Sequence, residues 1–311
     1  MKMLKFVLSL TTQNSDYQSE QAAAAKEAAR RLSIDLQILY ADNDTILQSQ
    51  QLLTIVQGQA DSRPDGIIFE PVGGTGLPQV AKAAVSAGIG WVVLNREVDY
   101  VADLRRSYKA PTFSFTSDHV EIGRIQGRQI EALLPNGGSV LLIQGPSANL
   151  DSTQRTTGMK ETKPAGVDLK LMRGDWSERS AYKSVSSWLK LSTSQQMRID
   201  LIAAQNDAMA MGARKAFQEI TNNALRDCWL ALPYVGVDGI AKTGQTWIRS
   251  GQLTATVLVP PDAGNAIDLL AQALRTGSMP PERSLANPKS FPSIEELTRK
   301  ASSKSHAAWS Q

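Results

Sequence analysis

Short apolar runs alternate with stretches of helical periodicity along most of the chain. The runs are LKFVLSL (residues 4–10), IDLQILY, GIIFE, WVVLN, SVLLIQG, VDLKLM, DLIAA, YVGV and LTATVL. Between them, apolar positions recur at three- and four-residue spacing in 20–32, 77–87, 120–134, 181–191 and 263–274, which predicts amphipathic helices there. Strands that are apolar throughout and joined by helices imply parallel sheets covered on both faces. So many strands exceed what one core of this size holds, so the pattern predicts an α/β fold with two doubly wound parallel-sheet lobes. The break falls near TFSFTSDH, residues 112–119. No Gly/Ser-rich or Pro-rich linker and no low-complexity tract occurs, so several short crossings, a multi-strand hinge, are expected to join the lobes.

Composition narrows the function classes. A chain of 311 residues fits roughly two domains of ~150 residues each. Its 33 basic and 30 acidic residues are mixed along the sequence, without the basic footprint of a nucleic-acid binder. Arg30-Arg31 and Arg105-Arg106 read as solvated faces. No apolar run reaches the ~18 residues of a membrane span, so no direct membrane insertion is expected. MKMLKFVLSLTTQN begins basic and apolar as an export signal does, but its run is too short. It reads as the first buried strand, with any export signal lacking or trimmed from this chain. Cys228, the single cysteine, excludes an internal disulfide and reads as a buried, inert thiol.

Catalytic and cofactor signatures are lacking. His119 and His306 have no metal-ligand spacing, and no Gly-x-Ser-x-Gly elbow occurs. PVGGTGLPQV lacks the Lys and Ser/Thr of a phosphate loop and the spacing of a dinucleotide fingerprint. It reads as a βα turn with Pro78 in the first turn of the next helix. No catalytic residue, metal or cofactor is therefore assigned. Plentiful carboxylates keep a cleft hydrolase as a remote alternative.

Ligands of open parallel sheets bind beyond the carboxyl ends of the strands. Polar residues stand there in this chain: Asn14, Asp16 and Tyr17 after the first run, Glu70 after the third, Asn95-Arg96 after the fourth and Gln144 after LLI. In the second half come Asp175-Trp176, Gln205-Asn206-Asp207 and Asp238, with Val259-Pro260-Pro261 as the apolar exception. Asn and Asp at such places ordinarily cap helices or form turns. Asp207 fits that role, ahead of a helix with Met209, Ala213, Ala216, Phe217 and Ile220 on one face. Asn206 offers donors and an acceptor that suit a hydroxyl. Gln205 is expected to end its strand. Glu70, just before Pro71, suits either a ligand or a turn.

TTQNSDY, LNR, TSDH, QGPSANLDSTQRTTGM, GDW, AQNDAMAMGA, VGVDG and GQLTATV, in this order and spacing, resemble the class I periplasmic sugar-binding proteins of the ribose-binding type. These share a fold with the ligand domains of lactose-repressor-type regulators, and the similarity covers nearly the whole chain. It implies the type I periplasmic-binding-protein fold, with lobes 1–116 plus 260–289 and 117–259 plus 290–311. A cleft between the lobes would close on a small polyhydroxylated ligand. Asn14 and Tyr17 match the first-strand loop, where the family places an amide and an aromatic. Asn95 and Arg96 match the Asp/Asn-Arg pair, and Arg155 the arginine of the second lobe. Trp176 matches an aromatic platform, Asn206 the amide of the QND motif, and Asp238 the acid of the DG motif. Stacking rings and charge-assisted donors and acceptors are what a sugar's C–H faces and hydroxyls require.

Two departures concern the ligand. Asp16-Tyr17 stands where ribose-type relatives commonly have two aromatics, so that side should be more polar. Val259 replaces a polar residue that often comes after the TATV-like strand, which suits a deoxy or less hydroxylated face. The resemblance implies a monomeric, periplasmic or extracellular solute-binding protein that delivers a sugar or polyol to the permease of an ABC transporter. A ligand sensor of a signalling or chemotaxis system, closing on a receptor, is the alternative. An operator-binding regulator is not expected, because the helix-turn-helix of roughly 50 residues is missing before KFVLSL. The tail reads as a helix over IEELTRKA after Pro292-Ser293, then a frayed end with Trp309 unassigned.

Overall fold

The structure, a computed structural model, describes residues 3–192 and 197–308. Trp309 lies outside them. The chain divides into two compact units, Met1–Ser117 with Pro260–Asn287, and Asp118–Val259 with Pro288–Gln311.

Unit 1 holds strands β1 (Lys5–Leu10), β2 (Asp35–Tyr40), β3 (Gly66–Phe69), β4 (Gly90–Leu94), β5 (Thr112–Ser117) and β11 (Arg283–Ala286), in the order β11-β5-β4-β3-β1-β2. All its pairings are parallel, from β1–β2 at Phe6↔Leu36 to β11–β5 at Leu285↔Thr116. Helices α1 (Asp16–Leu32) and α11 (Ala263–Thr276) cover one face, where Phe6, Leu8, Ala25, Val92, Ile267 and Leu270 pack. Helices α2 (Thr45–Gln57), α3 (Pro78–Ser86) and α4 (Val101–Ser107) border a second core, built on Val7, Leu52, Phe69, Ala81 and Trp91.

Unit 2 holds β6 (Gly138–Gln144), β7 (Val167–Arg173), β8 (Leu201–Ala204), β9 (Tyr234–Asp238), β10 (Ala255–Leu258) and β12 (Lys289–Phe291), in the order β12-β10-β9-β8-β6-β7. Only β12 runs antiparallel among these. Its helices are α5 (His119–Leu133), α6 (Leu150–Thr162), α7 (Glu178–Leu189), α8 (Asp207–Gln218), α9 (Asn223–Ala231), α10 (Gly244–Arg249) and α12 (Ile294–Ala308).

Three sequence expectations change. Residues 112–117 form a fully buried strand; its alternating Thr and Ser masked it, but their hydroxyls find carbonyl partners, Thr112 on Ala110 and Ser114 on Glu282. Strands β11 and β12 escaped the pattern because they are short and mostly polar. Cys228 is exposed on α9, since the buried face of that short helix turns on Trp229 instead.

Candidate functional site

In both sheets the strand order reverses beside the first strand of the unit, between β1 and β3 and between β6 and β8. Such a switch point opens a crevice at the carboxyl ends, where the two flanking loops diverge.

In unit 1 the loop after β1 carries Asn14, exposed, and leads into α1, whose first residues are Asp16, exposed, and Tyr17, half-buried. The Tyr17 hydroxyl accepts from Gln21 Nε2 at 3.1 Å. Glu70 comes directly after β3 and is only 3% exposed. Its Oε2 accepts from Gln18 Nε2 at 2.8 Å and its Oε1 from Asn95 Nδ2 at 3.2 Å, so it ties α1 to the ends of β3 and β4. Gln48, buried on α2, donates to the Glu70 carbonyl and accepts from Val72 N–H. Asn95 is buried, with φ at 54°, and its N–H donates to the Phe115 carbonyl; Arg96, half-buried, is next in the chain.

In unit 2, Arg155 projects from α6 and is 6% exposed. Its guanidinium donates to the Gln205 carbonyl and lies 5.3 Å from the centroid of the Trp176 ring. Its Nε–H donates to His119 Nδ1 at 3.3 Å, which leaves the imidazole proton on Nε2, facing Asp151 Oδ1 at 3.6 Å. The Trp176 ring packs against the chain at Gly145, where a Cβ would come within 2.3 Å of the ring. Its φ of 73° is costly for a tryptophan, and the surrounding turn fixes it. Ser177 N–H donates to Asp175 Oδ1 at 3.0 Å, and Asn206 Nδ2 donates to the Trp176 carbonyl at 2.8 Å.

Asn206, not Asp207, caps α8: its Oδ1 accepts from Met209 N–H at 2.9 Å. Two of the amide's four hydrogen-bonding positions are thus used, leaving one N–H and one lone pair. Asp207 turns inward instead, accepting from Gly239 N–H at 2.9 Å and from the Thr256 hydroxyl at 2.7 Å. Burial, and then the charge of Asp238, push its carboxyl well above the usual carboxylate range. Gln205 comes directly after β8 and is saturated, accepting from Gly145 N–H and the Ser152 hydroxyl and donating to Ser152 and Thr156. Asp238 ends β9 at φ 104°, and its carbonyl accepts from the N–H of the buried Val259.

In unit 1 the fold therefore gathers Asn14, Asp16, Tyr17, Glu70, Asn95 and Arg96 onto the ends of β1, β3 and β4. In unit 2, Arg155, Trp176 and Asn206 form one contact cluster, and Asp238 joins Asn206 through Asp207. Gln18, His119 and Asp151 escaped the sequence reading. Each acts through a neighbour far along the chain, and no local spacing marks that. Among the described residues no group of three or more His, Cys, Asp or Glu could hold a metal, and no helix is long and apolar enough to cross a membrane.

Residues 6–278 match the family described as periplasmic binding protein domain. The chain is 25% identical over 284 residues to the D-allose-binding periplasmic protein of Escherichia coli K12, covering 89% of this chain and 86% of that one. It is 27% identical over 234 residues to a xylitol-binding protein of Mycolicibacterium smegmatis, covering 74% and 60%. A solute-binding protein of an ABC transporter from Actinobacillus succinogenes, solved with bound D-allose, superposes with a TM-score of 0.79 at 20% identity over 95% of this chain and 99% of that one. That last likeness concerns the fold.

Proposed function

The chain belongs to the periplasmic binding protein domain family, and from that premise we propose that it captures a small sugar or polyol and hands it to the permease of an ABC transporter. The observation that carries this reading is the unit 2 cluster. There a buried guanidinium stacks on an indole face beside an amide with hydrogen-bonding capacity to spare. The indole suits the C–H face of a sugar ring, and the guanidinium and amide suit hydroxyls fixed in direction. Asn14, Asp16, Tyr17, Asn95 and Arg96 would supply the complementary contacts from unit 1, with Glu70 holding Asn95 in place. Ligand bridging both units would favour the closed state by differential affinity alone. Relatives with periplasmic names support a periplasmic location.

Asn95, Trp176 and Asp238 add a second line of support. All three adopt positive φ, and strained backbone of this kind gathers at ligand sites when the surroundings enforce it. The test is thermal unfolding against pentoses, hexoses, deoxysugars, polyols and furanoses, because a ligand of the folded state alone raises the midpoint. A shift with one of these is expected. A flat response across the panel, repeated after unfolding and refolding to strip any carried-over ligand, would overturn the assignment to sugars.

Val259 tunes the choice within that class. An apolar side chain cannot pair a hydroxyl, and a buried unpaired hydroxyl costs about 1–3 kcal/mol. Val259→Gln is expected to move preference toward more hydroxylated sugars; identical affinities across the panel would remove Val259 from the specificity set.

A further inference from the structure

Asp151 and Arg155 stand four residues apart on α6, so they share one face of that helix, and both are buried. His119, the first residue of α5, is buried against the same face. The helices come this close because Gly123, one turn on from His119, has no side chain to part them: a Cβ there would stand 2.0 Å from the Arg155 carbonyl oxygen. The imidazole bridges the two charged groups. Its Nδ1 lies 3.3 Å from Arg155 Nε and its Nε2 lies 3.6 Å from Asp151 Oδ1. A guanidinium has donors only, so Nδ1 must present its lone pair and the ring is the neutral Nε2–H form. The Asp151 carboxylate favours a proton on the nitrogen it faces, and Asp151 is itself fixed in the first turn of α6, where its N–H donates to the Asn149 cap at 2.9 Å. Arg155 is thereby held at Nε by His119 and at a terminal nitrogen by the Gln205 carbonyl. Two bonds set the plane of the guanidinium; one would leave it free to swing.

The charged residues of α6 that meet the imidazole are Asp151, which favours its protonation, and Arg155, which opposes it. Just before α5, Asp118 accepts from Glu121 N–H, while Glu121 pairs with Arg124 and Arg128, and Arg124 also with Glu161 of α6. Toward the sheet, α5 meets the carbonyls of Ala204, Gly236 and Thr256 and the Ser290 hydroxyl through the neutral amides of Gln126 and Gln129. An imidazolium has two N–H groups and no lone pair. Protonation therefore removes the acceptor that Arg155 uses and sets a second cation beside it.

We propose that His119 is the positioning residue of the binding arginine: as the neutral Nε2–H tautomer it holds the Arg155 guanidinium in the plane that stacks on Trp176, and protonation of the ring releases that hold and weakens capture of the ligand. The part that concerns capture rests on the sugar-binding reading; the hydrogen bond does not.

Nitrogen NMR of the ligand-free protein tests the bond by itself. At pH about 7.5 the His119 Nδ1 should read as a bare acceptor and Nε2 as protonated, and the Arg155 Nε–H should exchange slowly with water. That protection should vanish in His119→Leu and return in His119→Asn, whose side-chain oxygen takes the place of Nδ1 and whose amide does not titrate. A ring protonated on Nδ1, or an Arg155 Nε–H equally protected in His119→Leu, overturns the proposal; the wild-type tautomer decides alone if His119→Leu does not fold. Calorimetry with the panel sugar that raises the melting midpoint most reads the consequence. His119→Leu should bind it about tenfold or more weakly, the loss expected of a hydrogen bond to a charged group, and His119→Asn should recover most of that loss. As pH falls from about 8 to about 5, wild-type affinity should follow the His119 ring signals, steady while the ring is neutral and falling as it protonates, with His119→Asn level throughout. Affinity that ignores a protonating ring overturns the proposal. If no sugar of the panel binds, the sugar-binding reading fails, while the tautomer and the Arg155 exchange still decide whether His119 holds the arginine.

Discussion

Asn206 serves two neighbours with one amide: it caps α8 and holds the Trp176 turn, with a donor and an acceptor to spare. Arg155 is similarly committed, with its donors on Gln205 and His119 and its face on Trp176. Arg155→Ala should therefore weaken sugar binding more than tenfold, since a charge-assisted hydrogen bond to a ligand hydroxyl is worth about 1.5–3 kcal/mol; calorimetry at matched temperature checks it, and wild-type affinity would refute the assignment. Asp207→Ala leaves the Gly239 N–H and the Thr256 hydroxyl without their acceptor. A loss of about 1–3 kcal/mol in urea unfolding is expected. Asp262, buried just before α11, has a pH signature of its own in stability. Burial first, and the Glu70 charge second, raise its folded pKa from the ordinary 3.8 to about 8, so the folded state keeps a proton that the unfolded chain has lost. The stability it allows is complete below pH ~4, falls as pH rises toward 8 and then levels. Asp262→Asn, which cannot ionise, should gain on the wild type across that window and stay level above it; a constant difference in melting midpoint would contradict the shift.

At the scale of elements, α5 and α6 approach with backbone against backbone. A Cβ on Gly158 would stand 1.9 Å from the Val120 carbonyl oxygen, and one on Gly123 would stand 2.0 Å from that of Arg155. This close approach sets where Arg155 starts from. Gly158→Ala must part the helices, at a cost of about 1–3 kcal/mol, and carry the guanidinium off the Trp176 ring. Stability and sugar affinity should fall together; loss of stability with unchanged affinity would show that α6 does not govern the site. Element type was readable wherever side chains repeat with the period of their own secondary structure. The strand readings for β1, β3, β4, β6 and β8 rest on their apolar runs, and those of α1 and α11 on spaced alanines and leucines. β5 was not readable, because its Thr and Ser are buried only by virtue of the carbonyls that meet them.

Across the whole molecule, the chain passes between its two units at residues 117–118, 259–260 and 287–288. On the proposed reading, these crossings would act as the hinge of ligand-driven closure. A ligand that bridges the units should lower the radius of gyration in small-angle scattering. At about a hundredfold its Kd it should stabilise the fold by roughly 2.7 kcal/mol. Stabilisation without a change in radius would place the ligand on one unit alone.

The sequence by itself determined most of the layers: the strands with apolar runs, their buried faces, and the polar residues at their ends. Those properties are local, set by periodicity and by backbone geometry over a few residues. It also determined the family, through motifs whose spacing is kept over most of the chain. The tertiary structure alone decided what each strand-end residue does. Asn206 caps while Asp207 goes inward, because Gly239 and Thr256, far along the chain, present donors to a buried acceptor. Cys228 faces out because Trp229 takes the buried place. Glu70 became a holder of Asn95 because Gln18 on α1 and the ends of β3 and β4 meet at its carboxyl. Hydrogen bonds and charges act over a few ångströms of space whatever the separation along the chain, and no local pattern records them.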